Sequence, residues 1–278
     1  MTPPPLTLLY VPADRPDRVS KALASDADVV LVDLEDAVAP ARKDEARAAM
    51  LRLLADASPA RPVQVRLNRP GTPWHAGDLA AVAGLPAAVG ARLPKIEEPD
   101  EVRALAAALP GRALHPLLES ALGVERALEI ATASPQVASV GLGEADLRSD
   151  LGVADDAGLT WARSRVVVAA RAARLPPPAM SAYPHVRDLA GLAASCREGR
   201  ALGFRGRTAI HPAQLDTIRA AFLPTAEEIE RAREVVSRLA GATQAGVGAL
   251  ALADGTFLDV AMLEQARAVL ALAGVPRP

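Results

Sequence analysis

The chain has 278 residues, 50% of them hydrophobic, with 33 acidic against 31 basic side chains and a net charge of -2. That balance leaves no basic surface for nucleic acid and no polybasic membrane contact, and no apolar run approaches the roughly 20 residues of a membrane-spanning helix. A single cysteine, Cys196, excludes an internal disulfide and fits a reducing, cytoplasmic setting.

The N-terminal MTPPPLTLLYVP has neither a basic segment nor a long apolar one, so no secretory signal is expected. From there strand and helix patterns alternate. LTLLYVPA (6–13) reads as a strand. RPDRVSKALAS (15–25) reads as a helix, with Asp14 as its N-cap and Pro16 in its first turn. DVVLVDLE is a second strand, and residues 41–56 form a helix with an apolar stripe at Ala46, Met50, Leu53 and Leu54. PVQVRLNR (62–69) is a third strand, followed by a helix through HAGDLAAVAG. GARLPKIE (90–97) and a helix after EPDEVRALAAAL come next, then ALHPLLES (113–120) and a helix through GVERALEIATA. VASVGLGEADL (137–147) reads as the sixth strand, before a helix over 158–174. The prolines at 176–178 mark a boundary. AMSAYPHV is the seventh strand, followed by a helix through DLAGLAASCREGRALG, which carries Cys196 as a small core residue. GRTAIHP (206–212) is the eighth strand. A helix over 225–241 opens on a capping box, Thr225 with Glu228. A hairpin with an Asp-Gly turn at 254–255 and a helix over 260–273 end the chain.

Eight strand–helix units predict an α/β protein, a (β/α)8 TIM barrel over residues 1–241, with a C-terminal hairpin-plus-helix appendage over 242–278 that packs on the barrel or on a neighbouring subunit. An open doubly wound sheet is the alternative, but its glycine-rich first turn is missing. No P-loop and no nucleophile elbow occurs.

In a barrel, chemistry gathers where the strands end. Those ends carry Arg15, then Asp33, Glu35 and Asp36, then Arg66 and Asn68, Lys95 and Glu97, Glu119, Glu144 and Asp146, His185 and His211. Three carboxylates within four residues of a buried strand call for a cation. At an effective dielectric near 20, two charges about 4 Å apart interact by roughly 4 kcal/mol. Glu119 and Asp146 suit a hard, oxygen-loving cation such as Mg2+, or else arginine partners. Gly141 and Gly143 would let backbone approach a ligand closely. Arg66 has the fork to hold a carboxylate or an enolate oxygen, to pair with Glu35 or Asp36, or both. His115 and His211, each in an apolar strand before a proline, read as core histidines, and the four histidines show no zinc-site spacing.

LLYVPADRPDRVSKAL, DVVLVDLEDAVAPARKDEAR, VRLNRPGT, LPKIE, LLESALGVERALEIA, GLGEADLRSDLG, GFRGRTAIHPAQL and AFLPTAEEIERAREVV follow one another. In that order they resemble the citrate lyase beta subunit-like proteins, among the citryl-, malyl- and citramalyl-CoA lyases of the HpcH/HpaI aldolase superfamily. The resemblance spans about residues 6 to 273. It implies a pyruvate/phosphoenolpyruvate-type TIM barrel and a Mg2+-dependent lyase that parts an acyl-CoA from a 2-oxo acid such as oxaloacetate. It implies Glu119 and Asp146 as metal ligands, Arg66 on the oxo acid, and Glu35 and Asp36 orienting Arg66 and the metal's water. It further implies Asp259, in TFLD, near the reacting carbon from a neighbouring subunit of a homotrimer. Lys95 adds positive charge for the substrate, and Arg15 with Arg18 and Lys21 offers cations to the CoA phosphates. A CoA-free pyruvate aldolase, a subunit that needs an acyl-carrier partner, and a metal-binding module without turnover remain as alternatives.

Overall fold

In the computed structural model, residues 4–55, 61–244, 250–251, 257–258 and 260–274 are described. They fall into two compact units, Pro4–Arg219 and the segment from Ala220 onward. The first unit holds β1 (Thr7–Pro12), α1 (Pro16–Leu23), β2 (Val29–Asp33), α2 (Lys43–Leu54), β3 (Val63–Arg66), α3 (His75–Ala83), β4 (Val89–Leu93) and α4 (Pro99–Ala108). It continues with β5 (Leu114–Leu118), α5 (Ala121–Glu125), α6 (Ala127–Ala131), β6 (Gly141–Leu142), α7 (Glu144–Leu151), α8 (Thr160–Ala172), α9 (Leu189–Ala201) and β7 (Arg207–Ala209).

The seven strands form one parallel sheet in the order β6-β5-β4-β3-β2-β1-β7. All five residues of β2 and of β4 are buried, as expected of parallel strands covered on both faces. Beyond β7 the next parallel position is a single bridge, Met180 to Arg207. Ser181 then ties this edge back to β6, donating to Leu142 O and accepting from Glu144 N. The sheet thus curls into the expected (β/α)8 barrel.

The predicted seventh strand, AMSAYPHV, is therefore reduced to one bridge. Pro184 has no N–H for a ladder, and the Ser181 hydroxyl replaces the missing backbone bonds. The predicted sixth strand is also shorter: a bridge at Val137 and the two residues of β6, after which the chain turns into α7. Glu144 and Asp146 lie in the first turn of α7, where acidic side chains complement the helix dipole, and Leu147 anchors its buried face. Asp14 is not the N-cap of α1; Arg15 holds that position without a side-chain bond, while Pro16 starts the helix as predicted. Cys196 is fully buried. No helix among the described residues is long and apolar enough to cross a membrane.

The second unit is built on α11 (Ala226–Gln244) and α12 (Val260–Leu272), the preceding α10 being Leu215–Phe222. Ala232, Val235, Val236 and Leu239 of α11 pack with Ala266 and Leu270 of α12. The capping box forms: Thr225 N donates to Glu228 Oε2 at 2.7 Å, and Glu228 N to Thr225 Oγ1 at 3.1 Å. β8 (Leu250–Ala251) pairs antiparallel with β9 (Phe257–Leu258). The turn at 254–255 and Asp259 lie outside the described residues.

Candidate active site

Strand register builds the site. β2 and β3 pair so that Asp33 stands opposite Arg66, and β3 and β4 so that Arg66 stands opposite Arg92. Asp33 takes the Arg66 fork from the side: Nε donates to Oδ1 at 2.8 Å and Nη2 to Oδ2 at 2.6 Å. Arg66 Nη1 lies 2.9 Å from Glu35 Oε2 and 3.4 Å from Asp36 Oδ2. The guanidinium stacks on the Tyr10 ring, 4.9 Å from its centroid. One Nη2 N–H remains to receive an acceptor in the cavity that Arg66 lines, a space of about 390 Å³ shared with Asp36, Glu119, Asp146 and Ser181.

Lys95 follows β4 in a left-handed backbone conformation, φ 54°, rare for a residue with a side chain. That turn aims its ammonium into the carboxylates. Nζ donates to Glu35 Oε1 at 2.7 Å and lies 3.6 Å from Asp36, 3.7 Å from Glu119 and 3.6 Å from Asp146. Burial pulls the Lys95 pKa down, but the Glu35, Glu119 and Asp36 carboxylates outweigh it and raise it overall. Burial also raises the Glu35 carboxyl, against the pull of Arg66 and Lys95. Glu119 is pushed up to about 8 by burial and by neighbouring Glu35.

The loop that carries Glu35 and Asp36 is braced from below. Lys43 Nζ donates to Leu34 O at 2.7 Å, Glu35 O at 2.6 Å and Asn68 Oδ1 at 2.8 Å. Asn68 Nδ2 in turn donates to Leu34 O and to the buried Asp78. Asp33 Oδ1 accepts from Glu35 N at 2.8 Å. On the far side, Gly143 lets backbone approach the Glu119 carboxylate rather than a ligand. A Cβ there would lie 2.2 Å from Glu119 Oε1.

Five carboxylates (Asp33, Glu35, Asp36, Glu119, Asp146) meet two cations, Arg66 and Lys95. The excess of negative charge, and the buried Glu119 Oε2 and Glu35 Oε2 without hydrogen-bond donors, fit a hard divalent cation. Among the described residues no group of three His, Cys, Asp or Glu forms a ready cage. Glu119 and Asp146 would therefore be two protein ligands, with water and substrate oxygens completing the shell, a common arrangement for Mg2+.

Of the residues expected at the site, Arg66, Glu35, Asp36, Lys95, Glu119 and Asp146 come together. Arg15 stands apart, 3.7 Å from Asp17 at the start of α1. Glu97 pairs with Arg69 at 3.6 Å. Glu144 belongs to a structural pair, taking both Nε and Nη2 of the buried Arg163 at 2.9 and 2.6 Å. His211 is no core residue: it is exposed, and its Nδ1 accepts from Ala213 N. His115 is half-buried, its Nδ1 2.8 Å from Ser139 Oγ. Sequence reasoning placed Asp33 in the acidic cluster but gave the arginine to its neighbours. Asp33 closes β2 and Arg66 closes β3, but their meeting depends on the register between the two strands. Lys43 gave no signal, standing among the charges of a helix start.

The HpcH/HpaI aldolase/citrate lyase family model matches residues 6–212. A (3S)-malyl-CoA thioesterase from Cereibacter sphaeroides is 35% identical over 271 residues, covering 96% of this chain and 94% of its own. A citrate lyase subunit beta-like protein from Mycobacterium tuberculosis is 38% identical over 275 residues, with the same two coverages of 96% and 94%. Among solved structures, M. tuberculosis CitE in complex with magnesium, acetoacetate and coenzyme A superposes with a TM-score of 0.82 at 34% identity, covering 97% of this chain and 98% of that one. The M. tuberculosis citrate lyase beta subunit complexed with oxaloacetate and magnesium gives 0.67 at 34% identity, over 78% of this chain and 96% of its own. Barrel, motifs and full-length similarity agree: the chain belongs to the HpcH/HpaI aldolase/citrate lyase family, and is an enzyme of the lyase class.

Proposed function

We propose that the protein is a Mg2+-dependent lyase that splits a 3-hydroxyacyl-CoA thioester (citryl-, malyl- or citramalyl-CoA) into an acyl-CoA and a 2-oxo acid. The observation that carries this reading is the meeting of the Arg66 fork with Glu119 and Asp146 in one cavity whose negative charge calls for a cation. The relatives crystallised with magnesium, oxaloacetate and coenzyme A support it. Glu119 and Asp146 would hold the ion, which would supply Lewis acidity at the oxygen that becomes the oxo group.

Arg66, fixed by Asp33, presents its free N–H to the same oxygen or to the adjacent carboxylate and stabilises charge as the C–C bond breaks. Asp36, half exposed beside Arg66 and Lys95, is placed to take the hydroxyl proton. Lys95 holds Glu35 and stands 3.6 Å from Asp36. The electron pair of the broken bond passes to the acyl-CoA enolate, and Asp259, from a neighbouring subunit, returns a proton to its carbon. Arg15, Arg18 and Lys21 hold the CoA phosphates. Assembly as a homotrimer in the cytoplasm, without an acyl carrier, belongs to the same reading. A sedimentation mass near the 28.8 kDa of one chain would remove the trimer.

A second reading is hydrolysis of the thioester, favoured by the malyl-CoA thioesterase relatives. One assay separates the two. The purified protein, with Mg2+ or with EDTA, is given each of the three thioesters, and products are followed by chromatography. Acyl-CoA with a 2-oxo acid, formed with Mg2+ and not with EDTA, supports the lyase. Free CoA with the intact hydroxy acid identifies the thioesterase. No turnover of any of the three rejects the self-sufficient lyase.

A further inference from the structure

The barrel has a second polar centre, at the opposite ends of its strands. A cavity of about 120 Å³ opens there, lined by Leu8, Gln64, Arg92, His115, Ser139 and Arg205 among others. Leu8 and Gln64 are second residues of β1 and β3, Ser139 lies two residues before β6, and Arg205 two before β7. Asp33 and Arg66, by contrast, close their strands, and Glu119 follows one. The row Asp33, Arg66, Arg92, His115 runs through four neighbouring strands in register. Barrel strands tilt, so such a row descends from one rim toward the other. Arg92 accordingly lines both cavities, while His115 lines only the lower.

The lower centre has cations and no counter-charge. Arg92 is 7% exposed; its Nη1 donates to Gln64 Oε1 at 3.1 Å, and its Nε is buried with no acceptor. Arg205 is half-buried, and its Nη1 is buried with no hydrogen-bond partner among the described residues. Neither arginine has an ion pair with a carboxylate among the described residues, and no Asp or Glu lines the cavity. His115 adds no compensation: burial and the Arg92 charge hold its pKa down at about 3, so the ring is neutral. Burial and neighbouring Arg200 lower the Arg205 pKa in the same way. Two guanidinium groups taken from water without anionic partners are costly unless something anionic joins them.

We propose that the base of the barrel binds one small oxyanion, of the phosphate class, between Arg92 and Arg205, with Ser139 as a neutral hydrogen-bonding group. The space is enough for a tetrahedral oxyanion. The fork of arginine matches such an anion. The conserved use of this end of a barrel is stability rather than catalysis, so the anion would act as a structural counter-ion to a charged core. This site does not rest on the lyase reading, and it shares Arg92 alone with the lining of the Arg66 cavity.

The test is thermal unfolding of the full chain in chloride and in inorganic phosphate at matched ionic strength. Arg66→Gln removes the guanidinium fork at the rim, and Arg205→Met removes that at the base. Phosphate is expected to raise the melting temperature of wild type and of Arg66→Gln by several degrees, and to raise that of Arg205→Met by less than a third as much. Equilibrium dialysis of Arg66→Gln against radiolabelled phosphate is expected to give one equivalent, whether or not Arg205→Met folds. The proposal is overturned if wild type shows no phosphate-dependent rise, if Arg205→Met keeps the full rise, or if Arg66→Gln binds no phosphate.

Discussion

Arg66 shows how one side chain is set by its neighbours. Its fork is held side-on by Asp33, its Nη1 faces Glu35 and Asp36, and Tyr10 supports its plane. Lysine at this position would keep the charge but lose the planar pair of bonds. Arg66→Lys is therefore expected to lower kcat at least about 100-fold with little change in melting temperature, measured as turnover of the preferred thioester. Glu119→Gln and Asp146→Asn keep size and remove charge from the candidate ion site. Each is expected to weaken Mg2+ binding at least 10-fold by calorimetry, with circular dichroism unchanged. Wild-type affinity in either variant would remove that residue from the ion site. The residue types of this cluster were readable from the chain: a buried apolar strand does not end in three carboxylates without a reason. Which carboxylate met which cation was not readable, since that depends on register across two strands and on a left-handed turn at Lys95.

At the scale of elements, the site depends on two braces. Gly143, between β6 and α7, passes so near Glu119 that no other residue fits without moving that carboxylate. Gly143→Ala is expected to fold, to lose Mg2+ affinity, and to cost about 1–3 kcal/mol in urea unfolding through the forced shift. Lys43 joins α2 to the loop after β2 by two bonds and to Asn68 by a third, and its removal takes a charged donor from both carbonyls and leaves the buried Asn68 Oδ1 without its donor. Lys43→Met should cost about 2–4 kcal/mol and lower kcat, because Glu35 and Asp36 lose their platform. The alternation of strand and helix was legible because parallel strands covered on both faces are continuous apolar runs. α7 was missed for a local reason. Gly141 and Gly143 beside apolar residues imitate a strand end, and the acidic first turn of a helix looks like the end of that strand. Lys43 could not be picked out, because a buried lysine at a helix start has the same local pattern as a solvated one.

Across the whole barrel, polar side chains run from rim to base, and the base makes the fold sensitive to acid. His115 titrates at about 3 when folded and near 6.5 when unfolded, because burial and Arg92 oppose its charge. The unfolded chain therefore binds the proton first as pH falls. The stability owed to a neutral His115 is complete above pH 6.5 and is lost progressively toward pH 3, amounting to about 3 kcal/mol between pH 7 and 4.5. Unfolding free energies from urea titrations at those two pH values should differ by that much less in His115→Gln than in wild type. The barrel motif count was legible in the sequence, but its closing seam was not. Eight apolar segments were visible, whereas among the described residues a single bridge and the Ser181 hydroxyl join the ends of the sheet.

That seam has a kinetic meaning. Every other neighbouring pair of strands is joined by two or more residues in register, whereas Met180 stands alone. Ser181 accepts from the amide of Glu144, the first residue of the helix that carries Asp146. Opening at this seam would free the Glu144 amide at the start of α7, on one side of the candidate ion site. Amide exchange at Glu144 thus clocks the lifetime of the assembled site, and an ion bridging Glu119 and Asp146 would slow that clock by stapling the ring shut.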